Sequence, residues 1–164
     1  MYLIGDRVVH PMHGAGIIEG ITEERLGGKL GHYYVFRMPV SGLVLKLPVE
    51  NCAMIGIRAL NSISQMEKVL QDIPSLEVDT TTNWNRRYRE NMERIKSGEL
   101  LKVAQVIKSL MWRDQQRGLS NGERKMLHNA KQILLSEMAL VCETTYADAE
   151  QHLNQTMMIG ANGL

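Results

Sequence analysis

The hydrophobic period of this chain changes once, near Asn61, and that change limits what it can fold into. Before Asn61, apolar and β-branched residues come in short runs separated by glycines, the signature of strands. After it, apolar residues recur every three or four positions over long stretches, as in helices that bury one face. A chain of 164 residues with one such switch is predicted to be α+β, with a β domain over 1–60 and an all-α domain over 61–164.

Five strands are expected in the first part. Arg7-Val8-Val9 stops at His10-Pro11, and the run from Gly14 to Ile21 carries glycines that permit sharp bending. Gly27-Gly28 marks a turn before the aromatic run from His32 to Met38. In the next run Leu43, Leu45 and Leu47 share one face and Val44 and Lys46 the other, and Pro48 closes it. A last strand is placed at Ala53 to Ile57, with no room for a helix among the five. Short strands with tight glycine turns suggest a small, bent five-stranded barrel of Tudor or SH3 type.

About five helices are expected in the second part. Ser62 and Gln65 form a capping box for a helix ended by Pro74. A second helix, with Thr82 as its cap, carries Trp84, Tyr88, Met92 and Ile95 as its apolar stripe and stops at Ser97-Gly98. A third runs from Glu99 to Gln116. Ser120 and Glu123 make a second capping box, opening a long helix to Val141. Thr145 caps the last helix, and residues 159–164 read as frayed. Eleven methionines against one phenylalanine suit a core of packed helices, where an unbranched side chain fills irregular gaps.

Charge is unevenly spread. The formal net charge is only +1, yet residues 84–131 hold twelve Lys or Arg against five Asp or Glu. Residues 62–83 and 132–164 are both net acidic. A basic block between acidic flanks points to a localised anionic partner. Within it, Arg86, Arg87 and Arg89 fan out beside Trp84 at a helix start, a place that attracts phosphate. Arg113, Arg117, Arg124 and Lys125 gather around the Gly118 turn, where two helix ends converge as a second phosphate contact. Residue type alone favours a buried Trp84 and solvated arginines.

Enzyme chemistry finds no support. There is no phosphate loop or dinucleotide fingerprint, and no clustered acidic metal site such as a nuclease requires. His10 and His13 lack the further ligands of a metal site. Cys52 and Cys142 form no motif, which fits a reducing compartment. Without a signal peptide or a spanning apolar run, the expectation is a soluble cytoplasmic monomer with no cofactor, no metal and no membrane partner.

Four stretches occur together and in order: Val9-His10-Pro11-Met12-His13-Gly14-Ala15-Gly16, Leu47-Pro48-Val49-Glu50-Asn51, Asn83-Trp84-Asn85-Arg86-Arg87-Tyr88, and the run from Arg113 to Glu123. Through them the chain resembles the CarD-like bacterial transcription regulators over about residues 1–155. The resemblance implies that the Tudor-like domain, shared with the transcription-repair coupling factor, binds the β subunit of RNA polymerase. It implies that the helical domain contacts promoter DNA, without sequence specificity, at the upstream edge of the transcription bubble. The family's minor-groove tryptophan wedge is matched by Trp84 and its neighbouring arginine by Arg86, which reverses the reading of Trp84 as core. Its fourth-strand docking residue is matched by Lys46. A second docking arginine of some relatives is Glu24 here, with Arg25 adjacent. The implied function is stabilisation of the open promoter complex; the alternative is a polymerase-binding module that makes no productive DNA contact.

Overall fold

A computed structural model of the chain describes the backbone of residues 1–161 and the side chains through Met157. Its first part is a bent, five-stranded antiparallel sheet in the order β4-β3-β2-β1-β5. The strands are β1 (Arg7–His10), β2 (Gly14–Leu26), β3 (Lys29–Arg37), β4 (Val44–Pro48) and β5 (Arg58–Ala59). β2 and β3 pair to their ends, Leu26 opposite Lys29, across Gly27 and Gly28. Those two glycines have φ of 60° and 80°, the positive values that a two-residue hairpin turn of matching twist demands. A bulge between Ile18 and Gly20 bends β2 over the core. Gly16 faces that core without a side chain, since a Cβ would lie 2.6 Å from the Phe36 ring. Val8, Ile18, Tyr34, Phe36, Met38 and Leu47 fill the interior.

The fifth strand is not where periodicity puts it. Val49–Asn51 is a 3-10 turn, and Cys52–Ile55 is a single helical turn, α1, between β4 and β5. Gly56, at φ 97°, ends it by donating to Ala53 and Cys52 carbonyls. The segment turns Cys52 and Ile57 into the core and leaves Met54 outside, 88% exposed. A four-residue apolar run cannot be told from a strand by its period alone.

The second part holds α2 (Ile63–Asp72), α3 (Trp84–Lys96), α4 (Leu100–Arg117), α5 (Asn121–Val141) and α6 (Tyr146–Ala161). The Ser62 capping box forms with both of its bonds, at 3.1 and 2.8 Å. α6 continues through Ala161; of the stretch read as frayed, residues 162–164 lie outside the described residues. One core, including Met66, Ile73, Ile95, Ile107, Leu110, Leu134 and Leu153, joins the helices. Lys108 lies inside it, 2% exposed. Its ammonium donates to the carbonyls of Ile73, Pro74 and Leu76 at 2.9–3.0 Å, adding to the backbone bond, Leu76 N to Ile73 O, that closes the turn after α2. Burial lowers its pKa.

The sheet is clamped to α5. Glu137, fully buried, accepts two bonds from Arg58 (2.7 and 3.0 Å) and two from Asn61 (2.8 and 2.9 Å). Buried Ser136 accepts from Ala15 N at 2.9 Å. At Gly14 a Cβ would stand 2.3 Å from the Ser136 hydroxyl, so only glycine permits this approach. Met12 packs into the helical core. The Asn61 junction is therefore part of the clamp and not a slack linker.

Candidate nucleic-acid interface

α3 starts at Trp84 because Asn83 caps it, its Oδ1 accepting from Arg86 N at 2.9 Å. Thr82, read from sequence as the cap, stands one residue too early for that bond. The buried stripe of α3 is also shifted. It runs through Arg87, Asn91 and Ile95, with Tyr88 and Met92 half-buried beside it.

Trp84 is 42% exposed. Its ring stacks on Tyr88, centroids 4.9 Å apart and planes 17° from parallel. Its Nε1 donates to Ser120 Oγ at 3.1 Å, at the start of α5. Gly122 leaves room beside both rings, where a Cβ would lie 3.6 Å from each. One face of the indole thus rests on Tyr88, its edge is tied to Ser120, and the rest meets solvent.

Ser120 caps α5 through its bond from Glu123 N (3.2 Å). The reciprocal half of the expected capping box is absent, because the Glu123 carboxylate turns inward to Arg87. Arg87 Nε and Nη2 donate to it at 2.9 and 3.2 Å, and Arg87 Nη1 donates to the carbonyls of Thr81 and Thr82. Burial opposes ionisation of Glu123. The bonds and charge of Arg87, with Ser120 and Arg113, outweigh it and hold the carboxyl below the usual range.

Arg87 and Arg113 were both read as phosphate-facing, and the structure corrects this for the free surface. Arg87 is 5% and Arg113 9% exposed, and both donate to Thr81 O. Desolvation lowers the Arg113 pKa, and the charge of Arg87 adds to it. Of the arginines and lysines expected to face phosphate, Arg86, Arg89, Arg117, Arg124 and Lys125 are exposed. Arg86 donates to Glu90 at 2.9 Å, and Arg124 lies 3.6 Å from Asp114. The Trp84–Ser120 bond brings the start of α3 to the α4–α5 turn, so the two basic groups seen separately in sequence flank one aromatic. Tyr88 is expected on the same stripe as Trp84, whereas Ser120 and Gly122 went unrecognised as its partners. The Tyr88 contact follows from i,i+4 spacing, but no local signal links Trp84 to a residue thirty-six positions on.

On the sheet, Lys46 is exposed on the face of β4 opposite Leu45 and Leu47, as alternation predicts. It forms an ion pair with Glu24 across β3. Arg25 is exposed too, but strand alternation turns it to the other face, so it does not join Lys46. Leu43 lies before β4 and is 39% exposed, outside the expected core face.

The His10 and His13 rings touch at a tilt, centroids 4.5 Å apart and planes 57° from parallel. Met12 N donates to His10 Nδ1 at 3.0 Å, and burial together with His13 lowers the His10 pKa to about 4. Cys52 is buried and donates to Pro48 O, and Cys142 is exposed. Among the described residues no three His, Cys, Asp or Glu side chains are grouped to hold a metal, and no helix is long and apolar enough to cross a membrane.

A family model described as CarD-like/TRCF RID domain matches residues 2–60. One described as CarD, C-terminal domain matches residues 68–154. The chain is 36% identical over 141 residues to the protein of Bacillus subtilis (strain 168) named "Putative transcription factor YdeB", an alignment that covers 86% of this chain and 92% of that one.

Proposed function

The chain belongs to the CarD-like family of transcription factors, and on that premise we propose that it docks on the β subunit of RNA polymerase through residues 1–60 and stabilises the open promoter complex through residues 61–164. The observation that carries this reading is the setting of Trp84. A large aromatic, half-open to solvent and fixed by Tyr88 and Ser120, is preorganised to prop an unstacked base step in the minor groove. Arg86 and Arg89 on one side, and Arg117, Arg124 and Lys125 on the other, supply phosphate contacts that carry no sequence preference.

β4 is the edge of the sheet, and Lys46 projects from it beside Glu24. An edge strand with exposed Val44 offers backbone pairing to a partner strand, with Lys46 selecting an acidic neighbour. Docking there places the basic surface at the fork at high effective concentration, so weak DNA affinity is enough. The clamp at Glu137 keeps the two surfaces in one orientation. Open-complex lifetime on a single promoter, with and without the protein, tests the reading. The lifetime should rise with the protein, and an unchanged lifetime at saturating occupancy of polymerase refutes it.

A further inference from the structure

At the root of α3 lies a notch of about 70 Å³ lined by Thr80, Thr82, Trp112, Arg113, Gln116 and Arg117. Its lining is cationic, with Arg113 and Arg117 and no acid. Arg113 is nine-tenths buried, and its hydrogen bond goes to the Thr81 carbonyl (3.0 Å), which already accepts from Arg87. The nearby carboxylates are engaged elsewhere, Glu123 by Arg87 and Asp79 by Arg94. Among the described residues, no carboxylate lies within ion-pair distance of Arg113. Glu123 and Asp79 act on Arg113 only at longer range, and burial with the charges of Arg87 and Arg117 outweighs them. An anion in direct contact with this buried guanidinium relieves that cost.

The lining fits an oxyanion. Arg113 and Arg117 are one helical turn apart on α4, so both forks reach the same side. Two threonine hydroxyls and the Gln116 amide add neutral donors, and no acid lines the notch. The indole of Trp112 supplies a flat wall in place of a competing acceptor. Thr82 is two residues before Trp84, which puts the notch beside the proposed wedge.

We propose that this notch is a phosphate-binding subsite that takes one phosphodiester of the DNA strand passing Trp84, or a free phosphate ion in its absence. The DNA assignment rests on the function proposed above; the phosphate chemistry does not. A strand held there is fixed within a step or so of the indole, so the notch sets register for the wedge. It also gives Arg113 a role distinct from that of its neighbour Arg87, whose fork is filled by Glu123.

Thr80→Glu is the direct test, since it brings a carboxylate to the notch and pairs Arg113 internally. The full chain should keep or raise its melting temperature. DNA affinity should fall about fivefold near 0.15 M salt, and the salt slope should shrink by about one unit, as for one lost phosphate contact. Gln155→Glu, an equal charge change at an exposed site on α6, is the control. A loss of the same size in both variants overturns the phosphodiester assignment. In the wild-type chain, the Arg113 Nε–H resonance should shift saturably with inorganic phosphate and not with chloride at matched ionic strength. A static resonance overturns the notch whatever the variants do. A shift with phosphate in a chain that binds no DNA supports the notch as a free-phosphate site and sinks the DNA reading instead.

Discussion

Replacing Trp84 by alanine separates a wedge from a core residue, and the structure sets the size of each effect. A buried aromatic truncated to alanine costs about 3–5 kcal/mol. Trp84 is 42% exposed, so little of that cavity term applies. What it loses is the stack on Tyr88, worth about 0.5–1.5 kcal/mol, and the bond to Ser120 (3.1 Å), worth about 0.5–1.5 kcal/mol. Together these give roughly 1–3 kcal/mol, more than the near-zero change of an ordinary surface site. For a domain of this size that lowers the melting temperature by roughly 2–12 °C. Base–aromatic stacking of about 1–3 kcal/mol converts to an open-complex lifetime shortened about five- to hundredfold. Both are measured on one Trp84→Ala preparation, with lifetimes taken well below its melting point. Ser120→Gly refines the test. It removes the indole's acceptor, worth about 0.5–1.5 kcal/mol, while the glycine cap itself costs only a few tenths of a kcal/mol more and the stack on Tyr88 is kept, so lifetime should shorten with a smaller melting loss than in Trp84→Ala. A melting loss of core size with unaltered lifetime refutes the wedge.

Lys46→Glu places a second acid beside Glu24 and should weaken polymerase pull-down without unfolding the sheet; an unchanged pull-down removes Lys46 from the docking surface. Arg86→Ala should lower affinity alike on unrelated DNA sequences and reduce the salt slope by about one unit, whereas a sequence-selective loss indicates base readout. Glu137→Ala strips the clamp of the acceptor for four hydrogen bonds and should cost about 3–5 kcal/mol in thermal or denaturant unfolding; a cost near zero means the clamp does not hold the domains. His10 has a pKa of about 4 when folded against an ordinary 6.5, so the unfolded chain binds more protons between those values. Its contribution to stability is present above pH 6.5 and is lost as pH falls toward 4. His10→Asn, which keeps an acceptor for Met12 N, should flatten the stability profile in that window.

Local chemistry was legible in the sequence wherever the partners are close along the chain. The Ser62–Gln65 capping box and the Gly27-Gly28 turn each lie within a few residues, and both form as read. So does the outward face of Lys46, which alternation alone decides. The change of period at Asn61 marks where the sheet yields to helices, because period two and period 3.6 bury different sets of side chains. Short apolar segments were the exception. Cys52–Ile55 is one helical turn, too brief for period to distinguish it from a strand.

Tertiary structure alone decided which arginines face solvent. Arg86, Arg87 and Arg89 look equivalent in sequence, but consecutive helical positions point about 100° apart. Glu123, thirty-six residues away, meets only Arg87. Rules that count apolar residues put Trp84 in the buried stripe and Arg87 outside it. The fold does the reverse, because a paired guanidinium with its donors filled can be interred while an indole tied at one edge stays open. The same long-range pairing left Arg113 buried without a carboxylate, and it set Ser136 and Glu137 against the sheet. Charge partners far apart in sequence are a property of packing, and no window of neighbouring residues contains them.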